Sequence, residues 1–282
     1  MSNSEKLEQW IGKSIENSEY ISELPVKAMS AVFNYENVNI KEVPYGWHWL
    51  YFLNLPLQKN LGPDGHEKRR GFMPPIQLPI RMYAGGEIIY HKPILIGDEI
   101  KKISTIDSIK NKVGSTGNLT FLRINHKFSN NNNVLINEYQ NLVYREGKSV
   151  QKVKTHTKEK SPEDYDFQKI WKTSQEMLFR YSALTHNTHR IHYDFPYAKN
   201  VEGYPDIVVH GPLMATFLLD LTNNIIKVSK QKLNKFSFKL LRPVFVGGEI
   251  SAQAIKTSAG LDLWIKDQYG NISLSAQADL ID

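Results

Sequence analysis

Lys92-Pro-Ile-Leu-Ile-Gly-Asp-Glu-Ile100 and Arg242-Pro-Val-Phe-Val-Gly-Gly-Glu-Ile250 are two copies of one pattern, with Pro93 and Pro243 standing 150 positions apart. Four identities and three conservative pairs fall in the nine positions. A proline followed by alternating apolar residues and a glycine turn suits the start of a strand. The correspondence continues downstream: an apolar segment (119–128; 261–267), a turn (130–133; 269–271) and a final strand candidate (134–144; 272–281). Period-two alternation is plain in Ile272, Leu274, Ala276 and Ala278. A match that runs through successive strands and their turn predicts a duplication in which each half ends in an antiparallel meander.

Working outward, residues 145–166 are almost wholly charged and polar and cannot bury a core. They divide the chain into an N-terminal half (1–148), a linker (149–166) and a C-terminal half (167–282). In the second half, Gly211-Pro-Leu-Met-Ala-Thr-Phe-Leu-Leu-Asp-Leu221 puts Leu213, Met214, Phe217, Leu218 and Leu221 on one helical stripe, with Pro212 in the first turn. This predicts a buried helix, and the strands that follow supply the surface it packs on. In the first half, Pro74, Pro75 and Pro79 forbid a long uninterrupted helix before the meander. The expected class is α+β: two antiparallel sheets, each wrapping a helix, with the second copy better preserved.

The 282 residues, 41% of them hydrophobic, can bury a sizeable core. Thirty-five basic residues against 29 acidic give a net charge of +6 with no long basic block. That reads as solvated lysines, with coenzyme phosphates or an acidic carrier as the functional alternative. The absence of cysteine excludes disulfides, thiolate zinc sites and a cysteine nucleophile. No apolar stretch approaches the roughly 18 residues of a membrane span, so a cytoplasmic protein is expected. A phosphate-cradling glycine loop, a nucleophile elbow and an RNA-binding aromatic signature are all missing, and no nucleic-acid partner is expected.

Chemistry concentrates in Phe179-Arg-Tyr-Ser-Ala-Leu-Thr-His-Asn-Thr-His-Arg-Ile-His-Tyr-Asp194 and Val208-Val-His-Gly-Pro212, which hold four of the nine histidines. Histidine suits proton transfer near neutral pH, although any single one is more often structural. His186, His189 and His192 recur every three residues with Asp194 close by, which raises a metal site. A spacing of three is less apt for one helical face than a spacing of four, and no metal is expected.

The run from Ser182 to Asp194, with His210-Gly-Pro-Leu213 downstream, resembles the overhanging segment and helix start of MaoC-like hydratases, which add water to 2-enoyl thioesters on a hot-dog fold. Pro44-Tyr-Gly-Trp-His-Trp-Leu-Tyr-Phe52, Leu61-Gly-Pro-Asp-Gly-His66, Gly71-Phe-Met-Pro-Pro75 and Arg81-Met-Tyr-Ala-Gly-Gly86 are similar to the partner domain of the fused double-hot-dog branch. That branch includes mesaconyl-C4-CoA hydratases and mitochondrial-type 3-hydroxyacyl-thioester dehydratases. The resemblance implies a hydro-lyase without cofactor, acting on a CoA or acyl-carrier thioester. The family pattern of Asp, Asn and His falls on Asn187, His189 and His192, so only the last matches, and an amide at 187 can neither take nor give a proton at neutral pH.

On this resemblance His192 is the acid/base that activates water, and Asn187 holds the water. His189 shares the proton transfer or fixes Asn187, and the Gly211 amide meets the oxyanion at the helix start. Ser182, Arg180, Arg190 and His210 are candidates for binding substrate, the arginines through a carboxylate or phosphate. An ungapped offset of 152, from Ser30 to Ser182, sets Tyr35, Asn37 and Ile40 opposite Asn187, His189 and His192. The first half then reads as non-catalytic, shaping the acyl tunnel. Trp47, His48 and Trp49 are either pocket or core, and Lys68, Arg69 and Arg70 either meet phosphates or border a solvated turn. Competing functions are a 3-hydroxyacyl-carrier-protein dehydratase and a catalytically silent thioester-binding subunit. Hot-dog halves pair, so a chain paired internally and a homodimer both stay open.

Overall fold

Ten strands form the frame. The first half contributes β1 (Ser14–Tyr20), β2 (Ile80–Tyr90), β3 (Glu99–Gly114), β4 (Gly117–Ser129) and β5 (Val134–Arg145). The second contributes β6 (Phe167–Lys172), β7 (Lys232–Leu240), β8 (Glu249–Lys256), β9 (Gly260–Lys266) and β10 (Ile272–Ile281). Helices α1 (Leu24–Val32), α2 (Gln175–Leu184), α3 (Phe195–Asn200) and α4 (Gly211–Ser229) complete the elements used below. The computed structural model describes residues 7–36, 41–69, 71–114, 117–131, 133–147 and 164–282. Most of the expected linker, 149–163, lies outside them.

The repeat is visible in the backbone. In the first copy Val43 N–H donates to Ile94 O (2.9 Å) and Ile96 N–H to Lys41 O (3.0 Å). In the second, Val209 N–H donates to Val244 O (2.8 Å) and Val246 N–H to Ile207 O (3.1 Å). The shared glycine is required for its conformation, since Gly97 and Gly247 sit at φ +97° and +91°. Each copy leads into the predicted meander, β3-β4-β5 and β8-β9-β10.

The two expected sheets are joined into one, all antiparallel, in the order β1-β3-β4-β5-β2-β7-β10-β9-β8-β6. The seam is β2 against β7, where Gly86 pairs with Phe238. A Cβ on Gly85 would stand 2.1 Å from Phe238 O, so only glycine lets the halves approach this closely, while one on Gly86 would stand 2.8 Å from Tyr139 O on the neighbouring β5.

The helices are unequal, as the double hot dog with a weaker first copy requires. Helix α4 is buried nearly all round from Leu213 to Thr222, because both halves close on it. Trp171 of β6 stacks on Phe217 at 4.5 Å, and Phe33 of the first half meets the same tryptophan at 4.6 Å. Asp220, buried on α4, pairs with Lys169 at 2.7 Å and accepts the Tyr35 hydroxyl. At the corresponding place in the first half stands a single 3-10 turn, Trp47–Leu50. It rests on α4 through Gly46, where a Cβ would lie 2.5 Å from Leu219 Cδ1. Trp47 and His48 are core, with His48 Nε2 and Trp49 Nε1 both on the buried Glu138 carboxylate at 3.0 and 2.9 Å. Among the described residues no helix is long and apolar enough to cross a membrane.

The ungapped offset of 152 does not hold through the histidine-rich segment. Ser30 on α1 and Ser182 on α2 keep it, but Val43 answers to Val209, an offset of 166, so the second half carries 14 more residues in this interval. Among the described residues the stretch with Asn187, His189 and His192 has no counterpart in the first half: Asn37 and Ile40 fall outside those residues, and Tyr35 is spent on Asp220.

Candidate active site

Helix α2 starts on a Ser174 cap, whose Oγ accepts from Met177 N–H at 3.2 Å, and stops where His186 takes φ +48°. Asn187 then closes a side-chain turn: its Oδ1 accepts from His189 N–H at 3.0 Å while its own N–H donates to Ser182 O at 2.8 Å. A 3-10 turn, Arg190–His192, follows. Asp194 caps α3 by accepting from Tyr197 N–H at 3.0 Å, and its other oxygen takes both Arg190 Nε (2.9 Å) and Nη2 (2.7 Å).

His192 is buried. Its Nδ1 lies 2.7 Å from Val208 O, and since a carbonyl only accepts, Nδ1 carries the proton and Nε2 presents a lone pair. The His192 ring stacks on that of His210 at 3.8 Å and 19°. His210 is the cap residue of α4, fully buried, with Nε2 2.8 Å from Ser182 Oγ. Ser182 and His210, expected to bind substrate, therefore hold each other beneath His192. On the other side His189 meets His192 edge-on at 5.4 Å and lies 3.9 Å from His66.

His66 comes from the first half. The turn that carries it is pressed against the histidine-rich segment: Arg190 N–H donates to Asp64 O (2.9 Å), Thr188 Oγ1 to Gly65 O (2.6 Å) and Arg190 Nη1 to Pro63 O (3.0 Å). Asp64 Oδ2 is 2.9 Å from His66 Nδ1. Four imidazoles thus stand in a row, His66, His189, His192 and His210, with Asp64 at one end and Ser182 at the other. Sequence reading missed the first-half pair, whose only local signal is a histidine directly after an Asp-Gly turn.

Burial keeps the row neutral. It pulls His192 down to about 4, opposed by the hydrogen bond to the Val208 carbonyl and reinforced by the repulsion a second proton on nearby His66 would bring. It pulls His189 down to about 2, His210 well below its ordinary value, and His66 down despite Asp64. Burial pushes the Asp64 carboxyl up, but the His66 hydrogen bond and charge outweigh it and hold it at about 2.

Other expected residues lie differently. Arg190 is spent on Asp194 and Pro63 O, which makes it the clamp of the first-half turn rather than a free anion binder. Arg180 is exposed and reaches Ala31 O at 3.4 Å, bracing α2 on α1. Arg69, a candidate for phosphates, donates to the carbonyls of Ile76, Leu78 and Pro79 and pins the proline loop. Arg70 is outside the described residues. His186 turns away to Asn54 O at 3.0 Å, so the sequence-derived metal set is not assembled. Among the described residues Asp64, His66 and His189 are the group that could hold a metal, their ligand atoms within 4.8 Å of one another.

The profile of the hydroxyacyl-thioester dehydratase type 2 family matches residues 46–246, from the first-half turn through the histidine-rich segment and the second repeat. The chain belongs to this family. It is 38% identical, over 84% of its own length and 84% of the relative's, to the mesaconyl-C(4)-CoA hydratase of Chloroflexus aurantiacus. Its fold is similar to that of the MaoC-like dehydratase from Phytophthora capsici, with a TM-score of 0.67 at 13% identity over 100% of this chain and 98% of that one. A Mycobacterium tuberculosis protein described as a double hot dog aligns at a TM-score of 0.57 and 9% identity, covering 96% of each chain. The family is one of hydro-lyases acting on thioesters.

Proposed function

We propose that the enzyme reversibly hydrates a short, branched, dicarboxylic 2-enoyl-CoA such as mesaconyl-C4-CoA, giving citramalyl-CoA. The observation that carries this is His192: a buried, neutral imidazole with a bare Nε2, stacked on the residue that caps α4. The 38% identity to a mesaconyl-C(4)-CoA hydratase supports the acyl group. His192 Nε2 activates the water by accepting a hydrogen bond from the O–H that the product keeps, and as the oxygen bonds to the β-carbon the water's other proton goes to a neutral imidazole of the row. The π electrons move toward the thioester oxygen, and the proton returns to the α-carbon, so H and OH add across the double bond.

Asn187 Oδ1 already accepts from His189 N–H, and the Nδ2 hydrogens are the donors that hold the water. The thioester oxygen is met by Gly211 N–H, one of the unpaired donors at the N-terminus of α4. Any side chain at 211 would strike Leu240, its Cβ 2.5 Å from Cδ1. The free carboxylate of the substrate is taken by Arg81 at the start of β2, whose charge bears on both His66 and His189.

The test follows loss of the enoyl-thioester ultraviolet absorbance with mesaconyl-C4-CoA, crotonyl-CoA and the crotonyl thioester of an acyl carrier. Mesaconyl-C4-CoA should turn over fastest, and His192→Ala should lower kcat about a hundred- to ten-thousand-fold with unchanged circular dichroism. Unaltered turnover in that variant overturns the assignment, and a preference for the carrier thioester overturns the substrate.

A further inference from the structure

We propose that His66, oriented by Asp64, is a second catalytic residue of this site, a base supplied by the first half where Asn187 can carry no proton. The inference rests on the hydratase reading above.

The turn that carries His66 is built to stay in one place. Gly62 N–H donates to His66 O (2.7 Å), Gly65 N–H to Gly62 O (3.0 Å), and Asp64 Oδ1 accepts from His66 N–H (3.0 Å). Gly65 adopts φ +88° with its α-carbon so close to the catalytic segment that a Cβ would stand 1.9 Å from Thr188 O. A solvated turn needs none of this, nor the three hydrogen bonds from Thr188 and Arg190 that fasten it.

Those constraints deliver one arrangement. Asp64 Oδ2 receives the Nδ1 proton of His66, which fixes the tautomer and leaves Nε2 bare on a ring 3.9 Å from His189. Charge behind the ring separates His66 from His192. An imidazolium formed on His192 faces only the Val208 carbonyl, whereas one formed on His66 faces an ionised carboxylate at 2.9 Å. Access separates it from His210: a quarter of the His66 side chain stays accessible, while His210 has none and is already bonded to Ser182. Among the row, His66 is the imidazole with both a carboxylate beside its ring to stabilise its protonated form and a partly accessible side chain. In the reaction its Nε2 removes the water proton, Asp64 stabilises the resulting charge without itself being protonated, and the same proton passes to the α-carbon. His192 then holds the attacking oxygen in line.

The test uses the full-length enzyme with mesaconyl-C4-CoA and crotonyl-CoA. His66→Gln is expected to lower kcat about a hundredfold or more on whichever thioester the wild type turns over, with KM within about threefold. Asp64→Asn keeps the turn's shape but removes the charge, and it gives a readout that mere structural support would not move. The acidic limb of the kcat–pH profile should shift to lower pH, because a base without its counter-ion protonates less readily. The other groups bearing on His66 are Arg69, Arg81 on β2, His189 and His192, and all remain in this variant. A kcat within threefold of wild type in His66→Gln, or an acidic limb that does not move in Asp64→Asn, overturns the proposal. Should His66→Gln fail to fold, the Asp64→Asn limb decides alone. A wild-type enzyme inert toward both thioesters overturns the hydratase reading and this inference with it, a result distinct from an active enzyme indifferent to His66.

Discussion

Keeping a histidine neutral inside the protein has a cost that appears on acidification, and His192→Gln measures it. The unfolded chain protonates this histidine near pH 6.5, while the folded protein does so only at about 4. The folded pKa is depressed, so the stability it supports is fully present above pH 6.5 and is lost as pH falls toward 4, where the loss ends. At about 1.36 kcal/mol per unit, the drop from pH 7 to pH 5 amounts to about 1.8 kcal/mol from His192 alone. His189, held at about 2, loses about as much over the same interval and is untouched by the substitution. Urea unfolding at pH 7, 6 and 5 should therefore show wild type losing about 1.8 kcal/mol more than His192→Gln between the extremes. Parallel stability curves, within about 0.5 kcal/mol, would mean that His192 titrates as an open histidine. The buried, base-ready state assigned to it would then be wrong.

Two further substitutions test other joints. Gly65→Ala forces a side chain into Thr188 O and into a left-handed backbone, so the first-half turn should lift from the catalytic segment. Stability should fall by about 1–3 kcal/mol and kcat at least about tenfold, checked by thermal unfolding and the absorbance assay. Arg81→Gln should raise KM for mesaconyl-C4-CoA about tenfold or more and leave crotonyl-CoA, which has no free carboxylate, nearly unchanged. Equal effects on both substrates would remove Arg81 from the carboxylate site.

What the sequence disclosed followed local chemistry. The repeat around Pro93 and Pro243 was legible because each copy makes the same turn with the same glycine, and α4 because its apolar stripe has helical spacing. His192 stood out through its cluster of neighbours. Three things were hidden, each for a physical reason. The joining of two sheets depends on how close the backbones come at Gly85, which only coordinates reveal. The clamp role of Arg190 depends on carbonyls more than 120 positions earlier. Asp64 and His66 read as a solvated turn because nothing near them in sequence shows the segment they pack against. The 14 additional residues misled the offset alignment, since an ungapped comparison cannot register an insertion.

The glycine seam between β2 and β7 has a bearing on how this chain can change. Two separate subunits would meet only as often as their concentration allows, and a symmetric pair would carry every substitution twice. Here the two partners are tethered, so their encounter does not weaken on dilution, and a change in one is felt once. That freedom lets one partner hold a short 3-10 turn where the other holds a long helix, and pack the loop of Asp64 and His66 on the other's histidines, with no symmetric copy obliged to follow.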